Sequence, residues 1–340
     1  MSIKLLNLLI KDEKKINNPL YSSGKYWQHK NKRTISQIKK KSLKNFRGID
    51  AGIGTSFSDS MVSDIRNEYN LKGQIISSVY KLPIIKKVFN QQLQITKNLI
   101  IKYLKHQEIT FQNDKNVSFL LKKYKFENTT KFGCVQKFKY KNKNISTHYL
   151  EMAYRIYNLS RIFNFSKIES YFEIGGGFGS NIHFLLQNFP NIKKVIYLDS
   201  VPNIYIGTEY LKKFYKKNII DYKQTKYMKE IKFKKNNKLE IFCITPWQIE
   251  KVSSSIDHFH NAASFVEMPE QIVDNYIQHI KRLKTRDISL ISYLDFDSKT
   301  KFNPIKLKNK FSKTLKIYYF DYVIKNLNLN NIYIVGKKLY

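Results

Sequence analysis

The chain of 340 residues is longer than one ordinary domain core requires and divides most naturally into two domains of roughly 150 residues each. Hydrophobic residues at 42% and aromatic residues at 14% can fill a sizeable interior, which excludes a largely disordered polypeptide. The net charge of +35 suggests a polyanion partner, but it comes from 54 lysines and only seven arginines. A surface shaped to grip phosphates favours the planar guanidinium, and the abundance of Asn, Ile, Tyr and Phe beside Lys reads as compositional bias, so nucleic acid is not the expected partner.

At the start, the apolar run is only Leu5 to Ile10 and is followed by charged Lys11 to Lys15, which does not suit a secretory signal. No segment reaches the ~18 uninterrupted apolar residues of a membrane span. Cys134 and Cys243 have neither a disulfide-framework nor a zinc-ligand spacing. The expected location is a reducing one, the cytoplasm. Up to about residue 145 strands and helices do not alternate; Ile75 to Leu104 carries apolar residues at helical spacings, and Gly48, Gly52 and Gly54 with Ser56, Ser58 and Asp59 mark an irregular loop. Residues 1–145 are thus expected to form a mostly helical accessory region.

Residues 146–340 read differently. Thr147 to Phe163 suits an amphipathic helix. Strands are expected at Tyr171–Ile174, Lys194–Leu198, Leu239–Thr245, Ile256–Ala263 and Asp287–Leu294, with helices at Ser180–Asn188, Pro202–Lys217 and Pro269–Leu283 between them. Ile317–Ile324 and Asn331–Lys337 read as a closing pair of strands. The alternation predicts an α/β fold with a Rossmann-like, mostly parallel sheet and an antiparallel C-terminal edge.

The most informative stretch is Tyr171-Phe-Glu-Ile-Gly-Gly-Gly-Phe-Gly-Ser180, between a strand and a helix. Gly175, Gly176, Gly177 and Gly179 let the backbone turn sharply and approach a ligand, and the following helix offers free N–H groups. Twenty residues beyond Gly179 stands Asp199, at the end of the second strand, where a carboxylate can accept from both hydroxyls of a ribose. The nicotinamide fingerprint G-x-G-x-x-G fails at Ser180. The spacing Glu173-x-Gly175-x-Gly177-x-Gly179 instead resembles the loop of class I S-adenosylmethionine-dependent methyltransferases. A purely structural glycine turn is the competing reading.

Within that class the chain resembles the bacterial sugar O-methyltransferase family. The likeness rests on Phe172-Glu-Ile-Gly-Gly-Gly-Phe-Gly179, Tyr197-Leu-Asp199 with Pro202, Thr147-His-Tyr-Leu150, and above all Ala263-Ser-Phe-Val-Glu-Met-Pro269. It covers roughly residues 145–285, and differs where Ser200-Val201-Pro202 shifts the family's proline by one position. The resemblance implies S-adenosylmethionine as cofactor and a sugar, nucleotide-sugar or glycan as acceptor, in surface glycan or polysaccharide biosynthesis. Glu173, Gly175, Gly176, Gly177, Gly179 and Asp199 are the expected cofactor residues, with Trp247 either against the adenine or a half-buried core indole, and Asn261, near the fourth strand's end, either a ligand contact or a turn residue.

Methyl transfer to a hydroxyl needs alignment and a base. The base candidates are His260, Glu267 and His148. The ordinary alternatives are a hydrogen-bonded strand histidine, a helix cap and a helix-surface histidine. Asp295 and Asp297, ending the fifth strand, read either as acceptor contacts or as a solvated loop, and Arg47 and Asp59, flanking the accessory glycine loop, as candidates to bind sugar hydroxyls. No acid cluster has metal-ligand spacing, so no metal is expected. The eleven lysines of Lys212 to Lys238 read as a solvated face. The alternative functions are methylation of RNA or another nucleic acid, although the Asp/Asn-Pro-Pro-aromatic segment of amino-methylating enzymes is replaced by Asn261-Ala-Ala-Ser264, and a non-catalytic module of the same fold.

Overall fold

The computed structural model describes residues 3–44, 46–47, 111–133, 137–293, 304–311, 315–324 and 329–338, with the isolated helical positions 91, 98, 102 and 109. Most of the helix expected over Ile75–Leu104, the loop at Gly48–Gly54 with Asp59, Cys134, and the pair Asp295 and Asp297 lie outside the described residues. The chain forms two compact units, Met1–Ile35 with Asn158–Tyr340, and Ser36–Tyr157.

Helices α1 (Lys4–Glu13) and α2 (Lys25–Lys41) come first. In the second unit, α3 (Lys115–Lys123) is capped by Asp114, whose carboxylate accepts from the Asn116 and Val117 N–H groups at 2.7 and 3.3 Å. Strands β1 (Phe138–Tyr140) and β2 (Lys143–Ile145) pair antiparallel, and α4 (Thr147–Leu159) follows. Arg47 is buried there; its guanidinium donates to the Thr129 carbonyl at 2.8 Å and to Ser146 Oγ at 2.7 Å and lies over the Tyr149 ring.

The first unit is built on β3 (Ser170–Ile174), β4 (Lys194–Leu198), β5 (Ile219–Ile220), β6 (Glu240–Ile244), β7 (His258–Ala262), β8 (Asp287–Tyr293), β9 (Leu315–Ile324) and β10 (Leu329–Lys338). The connecting helices are α5 (Ser180–Asn188), α6 (Asn203–Tyr215), the single turn α7 (Tyr222–Thr225), α8 (Glu270–Arg282) and α9 (Pro304–Phe311). The sheet order is β5-β6-β4-β3-β7-β8-β10-β9. Strands β3 to β8 are mutually parallel, and β10 runs antiparallel to both β8 and β9. The reversed strand is therefore second from the edge, and the outermost β9 again follows the direction of the rest.

Sequences such as Lys194-Val-Ile-Tyr-Leu198 make strands because both faces are covered, so apolar and β-branched residues follow one another without alternation. The two faces nonetheless differ. Phe172, Ile174, Ile196, Leu198, Phe259, Ile288 and Leu290 belong to one apolar cluster with Val273, Tyr276 and Ile277 of α8. The residues between them point the other way and include Tyr171, Glu173, Tyr197, His258, His260 and Ser289, all buried. Among the described residues, no helix is long and apolar enough to cross a membrane.

Candidate active site

Strand β3 ends beside β4 and β7, its two parallel neighbours, so a crevice opens above their C-terminal ends. The glycine segment turns there: Gly175, Gly177 and Gly179 have φ of +75°, +60° and +81°. At Gly175 the requirement is double, because a Cβ would also lie 2.2 Å from Ser264 Oγ. Gly179 caps α5 without a side-chain hydrogen bond and donates its own N–H to the Gly176 carbonyl at 2.9 Å.

Asp199 closes the loop from the β4 side. Its Oδ2 accepts from the Gly177 N–H at 2.9 Å and its Oδ1 from the Ser200 N–H at 2.7 Å. Burial pushes its carboxyl up to about 7, against the opposing pull of these N–H groups and the Asn203 side chain. Tyr197 holds the loop from beneath, donating its hydroxyl to the Gly177 carbonyl at 2.5 Å. That hydroxyl reaches the loop only because α6 carries Gly207 at the crossing; a Cβ there would lie 2.2 Å from the same oxygen. Glu173 also lies under the loop, where it accepts from Asn181 Nδ2 at 3.0 Å. A Cβ on Gly176 would come 2.8 Å from Glu173 Oε2.

The β7 side is set by Asn261. Its amide donates to the Ile174 carbonyl at 2.9 Å and to Ser264 Oγ at 2.5 Å, and its Oδ1 accepts from the Phe265 N–H. It thus ties the ends of β3 and β7 to the turn Ser264–Glu267. Ala263, which precedes that turn, has φ +65°, a left-handed conformation unusual for a residue with a Cβ and characteristic of strained functional turns. The turn presents Glu267, half-buried, whose Oε2 accepts from Trp27 Nε1 at 2.8 Å. Burial pushes Glu267 up to about 7; Lys30 and the Trp27 N–H oppose this, and the charge of Asp199 adds to it. The same Asp199 charge, after burial, raises the Tyr276 phenol. The two carboxyl groups therefore share one electrostatic neighbourhood.

The remaining expected residues lie elsewhere. His260 is buried in mid-strand, its Nδ1 2.7 Å from Ser289 Oγ, which is also 2.8 Å from His258 Nε2. His258 stacks on Tyr171 with ring centroids 5.5 Å apart. Trp247 sits on the Pro246–Lys251 turn and donates to the Tyr222 hydroxyl at 3.3 Å. His148 is half-buried on α4 in the second unit, where burial, and then Arg47 and Arg155, disfavour its protonated form. Of the lysine-rich stretch, Lys212 pairs with Glu209 and Asp221, and Lys226 with Asp12 of α1. Among the described residues no three His, Cys, Asp or Glu side chains gather as metal ligands.

Sequence reasoning missed Trp27, Lys30, Tyr197 and Asn181. Trp27 is 240 positions from Glu267, beyond any local pattern. Tyr197 stands two residues before Asp199, but no local pattern shows that its hydroxyl meets the Gly177 carbonyl.

No family model matches the chain, and no curated protein matches it. Among solved structures, it is similar to the magnesium protoporphyrin IX methyltransferase of Synechocystis with bound SAM, at 11% identity over 56% of this chain and 79% of that one, with a TM-score of 0.39. A second likeness is to the mitomycin 7-O-methyltransferase MmcR, at 13% identity over 56% of this chain and only 57% of that one, with a TM-score of 0.37. A third is to M. capricolum TrmK in complex with S-adenosyl-homocysteine, at 14% identity over 55% and 68% of the two chains, with a TM-score of 0.34. The sheet itself settles the architecture: with β3 and β7 central, β4 and β6 to one side, and the reversed β10 inserted between β8 and β9, the chain has the Rossmann-like class I methyltransferase fold.

Proposed function

We propose that the protein is an S-adenosylmethionine-dependent methyltransferase that methylates a hydroxyl of a sugar, nucleotide-sugar or glycan. The observation that carries this reading is the Asp199 carboxylate, gripping a left-handed glycine loop at the end of β4, with Glu267 close enough to feel its charge. The residues fit the cofactor. A carboxylate has about four acceptor directions; Asp199 accepts from the Gly177 and Ser200 N–H groups and from the Asn203 and Ser200 side chains, so ribose hydroxyls would bind by displacing the two side-chain donors. The N–H groups of Gly175, Gly177 and Gly179 are engaged by the Leu198 carbonyl, Asp199 and the Gly176 carbonyl, so what this loop offers the cofactor is close approach of its backbone.

When bound, the cofactor supplies an electrophilic methyl on a sulfonium. The protein's part is alignment of the acceptor oxygen and removal of its proton. A carboxyl near neutrality is suited to that task, because it is ionised when the hydroxyl arrives and basic enough to take the proton. Glu267 meets that requirement, whereas His260 is buried in mid-strand, against Ser289 and the Tyr171 ring of β3. The sugar assignment is supported by the likeness of Ala263–Pro269 to the sugar O-methyltransferase family and by a half-buried acid beside an indole, a setting suited to hydroxyl-rich rings.

The test is release of S-adenosylhomocysteine with a panel of nucleotide-sugars and polysaccharides, with total RNA as a control. Turnover with a sugar is expected, and Glu267→Gln should lower it by roughly 10²–10⁴-fold while leaving S-adenosylmethionine binding unchanged. Turnover with RNA alone overturns the acceptor class, and undiminished turnover in the variant overturns the base.

A further inference from the structure

We propose that Trp27 is a positioning residue for the general base: its indole N–H holds Glu267 Oε2 and leaves Oε1 as the oxygen that takes the acceptor's proton. The inference rests on Glu267 being the base, and extends it by assigning part of the acceptor site to the N-terminal segment.

The geometry is a single hydrogen bond of 2.8 Å held in a built setting. An indole N–H can only donate, so it stabilises a carboxylate and opposes a proton on the oxygen it faces. The segment carrying Trp27 is fastened at several points to the surroundings of Glu267. Gly24 packs so closely on Pro269 that a Cβ would lie 2.7 Å from the proline ring. Tyr21 donates to Glu250 and lies 3.4 Å from His279 of α8. Lys30, one turn beyond Trp27 on α2, has its ammonium 5.1 Å from the indole centroid and contributes a positive charge toward Glu267. Among the described residues, the charged groups facing Glu267 are Lys30 from α2 and Asp199 from the end of β4. Trp27 adds a directional bond that neither of these charges supplies.

The experiment follows the Glu267 carboxyl by carbon NMR in protein labelled with ¹³C at glutamate Cδ, the resonance being assigned by its loss in Glu267→Gln. In the intact protein the midpoint is expected near 7. Trp27→Phe keeps the ring volume and removes the donor, so the midpoint should rise by about one pH unit, the size of one hydrogen bond to a charged group. An unchanged midpoint overturns the proposal. If that variant does not fold, the intact chain answers through its own indole signals. Only two tryptophans exist, and Trp247→Phe distinguishes them. The Trp27 indole N–H resonance should move with the Glu267 midpoint and lose most of that movement between pH 5 and 9 in Glu267→Gln. A flat signal in the unsubstituted protein, or one whose movement is undiminished in Glu267→Gln, overturns the proposal. Both measurements are made without acceptor, so they can fail independently of the methyl-transfer assay.

Discussion

Asp199→Asn should raise stability at neutral pH while weakening cofactor binding. The carboxyl has a folded value of about 7 against an ordinary 3.8, because burial penalises its charge more than its hydrogen bonds compensate. Between those values the folded state holds a proton that the unfolded state has lost. Stability must therefore fall as pH rises through the window, and level off above about 7. Each pH unit inside the window is worth about 1.36 kcal/mol, so from pH 5 to pH 7 the native protein loses roughly 2–3 kcal/mol relative to a variant with a neutral amide. Asparagine keeps an oxygen for the Gly177 N–H but sets an amide against the Ser200 N–H, a constant cost that cancels in the comparison. Urea unfolding of both proteins at pH 5 and pH 8 measures the change in their stability difference, expected to be about 2–3 kcal/mol in favour of the variant. Calorimetry should show S-adenosylmethionine binding roughly 10–100-fold more weakly, the loss of one or two bonds to a charged acceptor. A stability difference that does not vary with pH would refute the assignment of a buried, titrating carboxyl.

Further outcomes follow from the same geometry. Gly175→Ala forces a Cβ into φ +75° and onto Ser264, and should cost at least about 2 kcal/mol in thermal unfolding and abolish cofactor binding. Gly207→Ala lies outside the crevice but must displace the Tyr197 hydroxyl from Gly177, so calorimetry should record weaker cofactor binding together with a loss of about 1–3 kcal/mol of stability. Ser289→Ala deprives His258 and His260 of their shared hydroxyl and should cost about 1–3 kcal/mol in urea unfolding without changing cofactor affinity. A changed affinity in that last variant would place the histidine pair in the crevice.

The sheet was legible because its strands are buried on both faces. Lys194–Leu198 is read from sequence with the bounds it has in the fold, and Tyr171–Ile174 lacks only Ser170. At β7 the apolar and aromatic run suggests a start at Ile256, whereas pairing begins at His258, because Asp257 turns its carboxylate to the Glu169 and Ser170 N–H groups instead. The two-residue β5 is too short to leave a periodic signal. The direction of the last strands was legible as a hairpin, but the insertion of β10 between β8 and β9 depends on pairings that no local pattern encodes. Within the crevice, the glycine spacing and Asp199 could be read directly, since their chemistry depends on neighbours in sequence. Trp27 could not, because its partner is brought to it only by the complete fold.

The unit that holds the crevice is discontinuous in sequence, with Ser36–Tyr157 interposed between its two parts. During synthesis α1 and the start of α2 emerge before their partners: Asp12 waits for Lys226, Tyr21 for Glu250 and Trp27 for Glu267. At roughly 5–20 residues per second that delay is on the order of 10–50 s. Helix α1 must spend it without its final neighbours, so docking of this segment is a late event, and it is the event that brings Trp27 to Glu267.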